Sequence, residues 1–198
     1  LHSAVHSFPT RRSSDLANIT FQRNKLLSLS GMYNGEMLSA PEYKSLAGLD
    51  GAGFHGGYNH IVYQMVGQPL GVFYLPHSTG LESDGNGGYT YGIADLNGGG
   101  VSLEDGEDRY VAGQAVPKTI LGSNISFRYK RFDLSLQVNG AFGHKIYNGT
   151  SLTYMNMNIF PDYNVMKKAP KQNIKDQTAT DYWLEKGDYV NFDYVTLG

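Results

Sequence analysis

Between Thr119 and Phe142 the chain alternates apolar and polar side chains on either side of a tight turn at Lys130-Arg131. Leu121, Ile125, Phe127 and Tyr129 share one face of the first segment, opposite Gly122, Asn124, Ser126 and Arg128. In the second segment Phe132, Leu134, Leu136, Val138 and Phe142 oppose Asp133, Ser135, Gln137, Asn139 and Ala141. A period of two marks strands whose faces meet unlike surroundings, and it predicts an antiparallel hairpin here. A soluble sandwich would alternate as well, with its apolar face turned inward. Length favours a membrane instead, because each segment runs about 10 residues, the span that crosses a bilayer at a tilt. The fold class predicted is all-β: part of an antiparallel transmembrane β-barrel, an open curved sheet within this chain, with long irregular extracellular loops.

The remaining pattern is more broken. Asn18 to Ser30 reads as strand and ends at Gly31, and a polar stretch holding Asn34-Gly35 follows. Gly48 to Asn59 is dense in glycine and reads as a loop or a broken strand tip. Short extended pieces at Ile61–Gln64 and Gly71–Leu75 flank Gln68-Pro69, and Pro69, lacking a backbone donor, belongs at a strand end or edge. Leu81 to Gly113 is the longest irregular stretch, and Asn148 to Thr180 is irregular again, with Met155, Met157, Phe160 and Tyr163 as apolar anchors. Loops of such length are usually functional or external.

Composition fits this picture. Of 198 residues, 40% are hydrophobic, 17% charged and 13% aromatic, with 15 Tyr, 9 Phe and 25 Gly. Aromatic girdles and glycine-bearing hairpins need such a mixture. The formal charge of -2 gives no reason to expect a nucleic-acid partner, which favours a basic surface. Cysteine is absent, which removes disulfides and thiolate metal sites. No apolar run reaches the roughly 18 residues of a spanning helix, since Ile61 to Leu75 is interrupted by Gln64, Gln68 and Pro69. Residues 1–16 contain Ser7-Phe8-Pro9-Thr10-Arg11-Arg12-Ser13-Ser14-Asp15-Leu16, which resembles a translated sequencing adaptor and is set aside from fold reasoning. Leu1 is not a start methionine and Gly198 falls inside the alternation of Tyr189 to Leu197, so the chain is expected to be a piece of a longer protein.

An ordered series of motifs then resembles one family. Gly67-Gln68-Pro69-Leu70-Gly71-Val72-Phe73-Tyr74 resembles the glycine-x-proline-leucine-glycine-x-phenylalanine-tyrosine motif of the SusC/RagA family of TonB-dependent outer-membrane transporters. Asp95-Leu96-Asn97-Gly98-Gly99-Gly100, Gly113-Gln114-Ala115-Val116-Pro117-Lys118, Phe127 through Leu136, and Tyr182-Trp183-Leu184-Glu185-Lys186-Gly187-Asp188-Tyr189-Val190 resemble later segments of that family in the same order. The resemblance implies a barrel of about 22 strands filled by a plug, of which residues 17–198 would be part of the C-terminal wall, with the plug domain and last strands missing. It further implies a multi-pass β-barrel in the outer membrane of a Bacteroidetes-type bacterium, importing oligosaccharides or peptides. The implied partners are a SusD-like lipoprotein lid, the TonB complex acting through the missing N-terminal part, and the lipid bilayer.

Candidate chemistry follows from the two faces. Asn124, Ser126, Arg128, Asp133, Ser135, Gln137 and Asn139 are expected to face the lumen, where they offer donors and acceptors to a hydrated solute. Tyr89, Tyr91 and Tyr154 are candidate substrate-stacking residues, against an interface girdle or ordinary loop packing, which the pattern favours. Trp183, beside a strand start, reads as an interfacial anchor. Asp95, Asn97 and Asp108 are candidate calcium ligands, the one cofactor the sequence suggests. The spacing instead favours a solvated acidic turn, because Gly99 stands at the third ligand position and Gly106 where the bidentate acid belongs. His55, His60, His77 and His144 have no zinc spacing, and no Gly-x-Ser-x-Gly turn marks a nucleophile, so no catalytic residue is expected. The alternative function is a secreted glycan-binding β-sandwich without transport.

Overall fold

The computed structural model describes residues 12–49, 60–104 and 106–198. His2, His6, His55, Asp105 and most of the glycine-dense stretch Gly48–Asn59 lie outside the described residues. In chain order the strands are β1 (Arg12–Phe21), β2 (Gly31–Tyr33), β3 (Glu36–Leu38), β4 (Tyr43–Gly48), β5 (His60–Met65), β6 (Val72–Pro76) and β7 (Ser78–Ser83). There follow β8 (Tyr89–Ile93), β9 (Arg109–Gln114), β10 (Thr119–Tyr129), β11 (Phe132–Phe142), β12 (Lys145–Tyr147), β13 (Leu184–Lys186) and β14 (Tyr189–Leu197). Two short helices, α1 (Gly149–Tyr154) and α2 (Ala169–Gln172), interrupt this order late in the chain. The fold is all-β, every strand pairing is antiparallel, and no barrel closes among the described residues.

The chain forms two compact units. The first takes Leu1–Gln22, Pro117–His144 and Gly187–Gly198 and is an open four-stranded sheet in the order β1-β10-β11-β14. Its centre is the hairpin expected from the alternation, turned at Lys130, whose φ of 54° is left-handed. The register joins Ile125 to Leu136 and Phe127 to Leu134 on one face, where Leu121 meets Gly140 and Val138 meets the small polar Ser123. Asn124 then meets Gln137, and Arg128 meets Asp133. A slip of one residue would reverse every side chain, so this register keeps the two faces chemically distinct. β14 extends the apolar face with Val195 beside Leu136, and β1 extends it with Ile19 beside Leu121 but breaks it with Asp15 beside Ile125.

No side chain of the apolar row Ile19, Leu121, Ile125, Phe127, Leu134, Leu136, Val138, Phe192 and Val195 is buried. Phe192 is 62% exposed and Val195 64%, and both buried clusters of the chain consist of residues of the other unit. The apolar face is thus not the dry interior of a sandwich. β1 also runs further than expected at one end and less far at the other. It includes Arg12–Leu16 but stops at Phe21, well before Ser30. Main-chain pairing of Leu16 with Asn124 is open to any extended sequence, so it carries no information about where residues 1–16 come from.

The second unit, Arg23–Val116 with Lys145–Lys186, holds the packed core. A second four-stranded sheet runs β4-β5-β6-β9. β6 is buried along its whole length, and its alternation feeds two clusters. Phe73 and Leu75 pack with Ile61, Tyr91, Leu152, Ile174 and Ala179, while Val72 and Tyr74 pack with Tyr63. Burial of each such large side chain contributes about 1.5–3 kcal/mol, so β6 organises this unit. Pro69 lies in the connection between β5 and β6, outside both strands, where its missing donor costs no ladder bond.

The stretches read as irregular contain turn chemistry in place of disorder. Asn34 and Gly35 take φ of 49° and 83°, the positive pair of a tight hairpin turn, and join β2 to β3. Within Leu81–Gly113, the Asp84 carboxylate accepts from the N–H groups of Asn86 and Gly88, both at 2.7 Å, and closes the turn between β7 and β8. In Asn148–Thr180, Asn148 caps α1 by accepting from the Ser151 N–H at 2.9 Å. Of the four expected anchors there, Met155 is buried, whereas Phe160 and Tyr163 are exposed and Leu152, Ile159 and Ile174 take over their place.

The uncovered apolar face of the first unit has a direct consequence in solution. In buffer the chain is expected to elute from size-exclusion chromatography as large assemblies, and in detergent as a defined species of equal strand content by circular dichroism. A monodisperse, sharply melting monomer in buffer would contradict this.

Candidate functional site

The polar face of the four-stranded sheet gathers all seven residues singled out from its alternation: Asn124, Ser126, Arg128, Asp133, Ser135, Gln137 and Asn139. Leu16 and Ile120 are the apolar exceptions on that side, by their register with Asn124 and Ala141. The Arg128 guanidinium lies 3.9 Å from the Asp133 carboxylate, an exposed pair of at most about 1 kcal/mol. Asn18 leans over Gly122, where a Cβ would meet its carboxamide oxygen. Beside it lies a shallow depression of about 210 Å³, lined by Asn18, Gly122, Asn124, Gln137 and Asn139 among others.

β14 adds Tyr189, Asn191, Tyr194 and Thr196 to this face by register, and Asp193 by an irregularity. The ladder to β11 shifts between Gln137 and Val138, so Gln137 pairs with Tyr194 and Val138 with Phe192. Strict alternation would set Asp193 in the apolar row with Val195 and Leu197. The bulge at Asp193 turns its carboxylate to the polar side while Phe192 returns to the apolar one. There Asp193 accepts from Gln137 Nε2 at 3.1 Å, from Asn139 Nδ2 at 2.7 Å and from Asn191 Nδ2 at 2.8 Å. Asn124 Nδ2 donates to the Tyr194 hydroxyl at 3.2 Å. The sequence signal for Asp193 was a charge standing in an apolar row, and only the bulge gives it meaning.

The loop residues are placed differently from one another. Tyr89 is exposed in β8 and Tyr154 is half-buried in α1. Tyr91 is only 5% exposed, its hydroxyl accepting from Trp183 Nε1 at 2.7 Å and its ring 5.3 Å from that of Tyr182. Burial pushes the Tyr91 phenol upward, out of the ordinary range, with the Trp183 hydrogen bond opposing it. A ring so enclosed has no free face for a solute, so Tyr91 leaves the set of stacking candidates. Trp183 likewise belongs to the packing of this unit, set against the cluster of Ile61, Leu75 and Ile174. A single strand-start tryptophan looks the same in sequence whether it anchors to lipid or to protein.

The acidic glycine loop is closed by its own amides. Asp95 accepts from the N–H groups of Gly98 at 2.6 Å and Gly100 at 3.0 Å. Asp108, fully buried, accepts from Leu96 at 2.6 Å and Ser102 at 2.7 Å, with Asn97 at 3.4 Å. The Asn97 carboxamide oxygen takes the Gly99 N–H at 2.8 Å and its amide donates to Glu107 at 2.6 Å. The oxygens suggested as calcium ligands are therefore engaged with backbone donors. Among the described residues no group of three or more His, Asp or Glu converges as a metal site. The backbone bonds, from Ser102 foremost at Asp108 and from Asn86 foremost at Asp84, hold both carboxyls below the usual 3.8.

No protein-family model matches the chain. It is similar to a TonB-dependent receptor. TonB-dependent receptor P3 of Formosa agariphila is 28% identical over 153 residues, covering 67% of this chain and 15% of the receptor. The fold resembles that of the RagAB peptide transporter, with a TM-score of 0.57, 13% identity, and coverage of 98% of this chain and 21% of the transporter chain. The chain thus spans about a fifth or less of the length of either protein. Both are receptors or transporters, and neither is an enzyme.

Two tests address the loop unit. Trp183→Phe leaves the buried Tyr91 hydroxyl without its donor and is expected to lower stability by about 1–3 kcal/mol in denaturant titration, whereas an unchanged midpoint would remove this tether from the account. The lowered carboxyls of Asp84 and Asp108 add stability that is present above the unfolded value of 3.8 and is lost as pH falls through their folded values. Exchange of the Gly88, Leu96 and Ser102 amides is therefore expected to stay slow down to about pH 4 and to accelerate below it, relative to intrinsic rates. Acceleration beginning near neutrality would contradict the assignment.

Proposed function

We propose that this chain is a stretch of barrel wall, with attached external loops, from an outer-membrane TonB-dependent importer of the SusC/RagA type. The observation that carries this reading is the four-stranded sheet with an uncovered apolar face and an amide-lined opposite face. Acyl chains solvate the first, and a hydrated lumen solvates the second, the arrangement a membrane barrel requires. The bulge that withdraws Asp193 from the apolar row supports it, since a carboxylate on a lipid-facing surface is costly. The similarity to a TonB-dependent receptor and the shared fold with a peptide transporter agree with it.

In this reading the whole protein takes up oligosaccharides, or peptides, across the outer membrane. Energy comes from the TonB complex, and a SusD-like lipoprotein covers the mouth. The seven polar residues of β10 and β11 line the passage, and exposed Tyr89 in β8 and half-buried Tyr154 in α1 belong to the unit that a solute meets outside it. A secreted glycan-binding sandwich would need a second layer over Leu121, Leu134 and Leu136, and the exposure of their neighbours Phe192 and Val195 argues against it.

In the full-length protein, Leu136→Arg or Val195→Arg is expected to cost about 2–4 kcal/mol near mid-bilayer and to sharply reduce the heat-modifiable folded form in outer-membrane fractions. Ser135→Arg, on the other face, is expected to leave that form intact while reducing uptake. The reverse tolerance would overturn the proposal. Growth of a deletion strain on separate oligosaccharide and peptide sources then distinguishes the substrate class, the expected loss being confined to one of them.

A further inference from the structure

The amides around Asp193 are not free to present either end. A carboxylate accepts only, so Gln137, Asn139 and Asn191 must each turn their NH2 group toward it, as their distances of 3.1, 2.7 and 2.8 Å show. Asn124 Nδ2 likewise donates, to the Tyr194 hydroxyl, a partner that can donate as well as accept and so does not fix the sense of the amide. Each side-chain carbonyl then points away from the network, and no donor among the described residues reaches Gln137 Oε1 or the Oδ1 atoms of Asn139, Asn191 and Asn124. An amide surface that the sequence offers as both donor and acceptor is thereby biased to one sense.

We propose that Asp193 is a specificity-determining residue that orients this strip as a row of hydrogen-bond acceptors, selective for neutral polyhydroxylated solutes. The proposal rests on the reading of this face as the lumen wall and gives that wall a chemical preference. The open depression of about 210 Å³ beside Asn124, Gln137 and Asn139 leaves room for hydroxyl groups of a solute ring to replace the water on those carbonyls. Gly122 keeps the floor of the depression open, and Asn18 forms its rim. Both Asp193 oxygens are engaged by the amides, so a solute has no direct contact with the carboxylate and meets the outward carbonyls instead. A solute bearing acceptors alone reaches only the remaining donors, the second N–H of Gln137, Asn191 and Asn124 and the Tyr194 O–H, whereas a hydroxylated ring can use these and the outward carbonyls together.

The test uses the 198-residue chain in detergent micelles, with side-chain amide 15N–1H NMR and three probes: maltose, permethylated maltose and ethylammonium. Maltose is expected to shift the Asn124, Gln137, Asn139 and Asn191 amide signals at least fivefold more than permethylated maltose at equal concentration, with ethylammonium no better than the latter. Asp193→Ala and Asp193→Asn are each expected to bring the ratio of the two sugars toward one, and the ratio in the unaltered chain stands even if a variant fails to fold. Equal response to both sugars, no response to either, or a dominant response to ethylammonium would overturn the proposal. Relaxation of Leu136 and Val195 methyls by a spin-labelled lipid in the same sample reports the lipid face separately. Donor selectivity without lipid contact would sink the importer reading and leave the acceptor strip standing, whereas lipid contact without selectivity would do the opposite.

Discussion

The cross-strand register of β10 and β11 is the constraint on which the rest depends. Pairing Ile125 with Leu136 and Phe127 with Leu134 makes one face predominantly apolar, and the same act fixes Asn124, Gln137 and Asn139 on the other. Hydrophobic burial has no packed core to act on here, since both core clusters lie in the other unit. In the proposed reading the driving force for this sheet comes from a surrounding apolar medium, while its ladder hydrogen bonds satisfy the backbone internally. A soluble protein of this pattern would have to cover the leucine and phenylalanine face, and this sheet leaves it open.

The second unit solves a different problem. Its long connections carry few apolar residues, yet they hold together because short polar side chains close their turns. Asp84, Asp95 and Asp108 each accept two or more backbone N–H groups, and Asn148 caps α1. Such bonds satisfy donors that a buried loop would otherwise strand. Buried β6 then ties the loops to a sheet, and Tyr91 with Trp183 links the β7–β8 hairpin to the segment before β13. Loops built this way can be long and still hold a defined shape.

What could be read from sequence divides along the same line. The hairpin, its faces and its seven polar residues were legible because period-two alternation is a local signal that tertiary packing did not override. The positions of β5 and β6 were legible for a similar reason, bounded as they are by Gly67, Pro69 and Gly71. Asp193 was not, since a bulge is one extra residue whose effect appears only when the partner strand is known. The β2–β3 and β7–β8 hairpins were missed because a polar stretch and a glycine-rich one read as loop until Asn34-Gly35 and Asp84 are seen as specific turn chemistry. Tyr91, Trp183 and the acidic loop share a different difficulty: an aromatic ring or a carboxylate has the same spacing whether it meets a solute, a cation or its own backbone.

The central claim is that the two faces of the first unit meet unlike solvents, and a nitroxide scan tests it most directly. Spin labels placed singly along 134–139 and 194–197 in the bilayer-reconstituted full-length protein report collisions with oxygen, which concentrates in hydrocarbon, and with a water-soluble nickel chelate. Oxygen accessibility is predicted to peak at Leu134, Leu136, Val138 and Val195, with nickel accessibility peaking at Ser135, Gln137, Asn139 and Tyr194, the two periods of two running in antiphase. Low accessibility to both reagents along the leucine row would mean a dry protein interior, and would contradict the account.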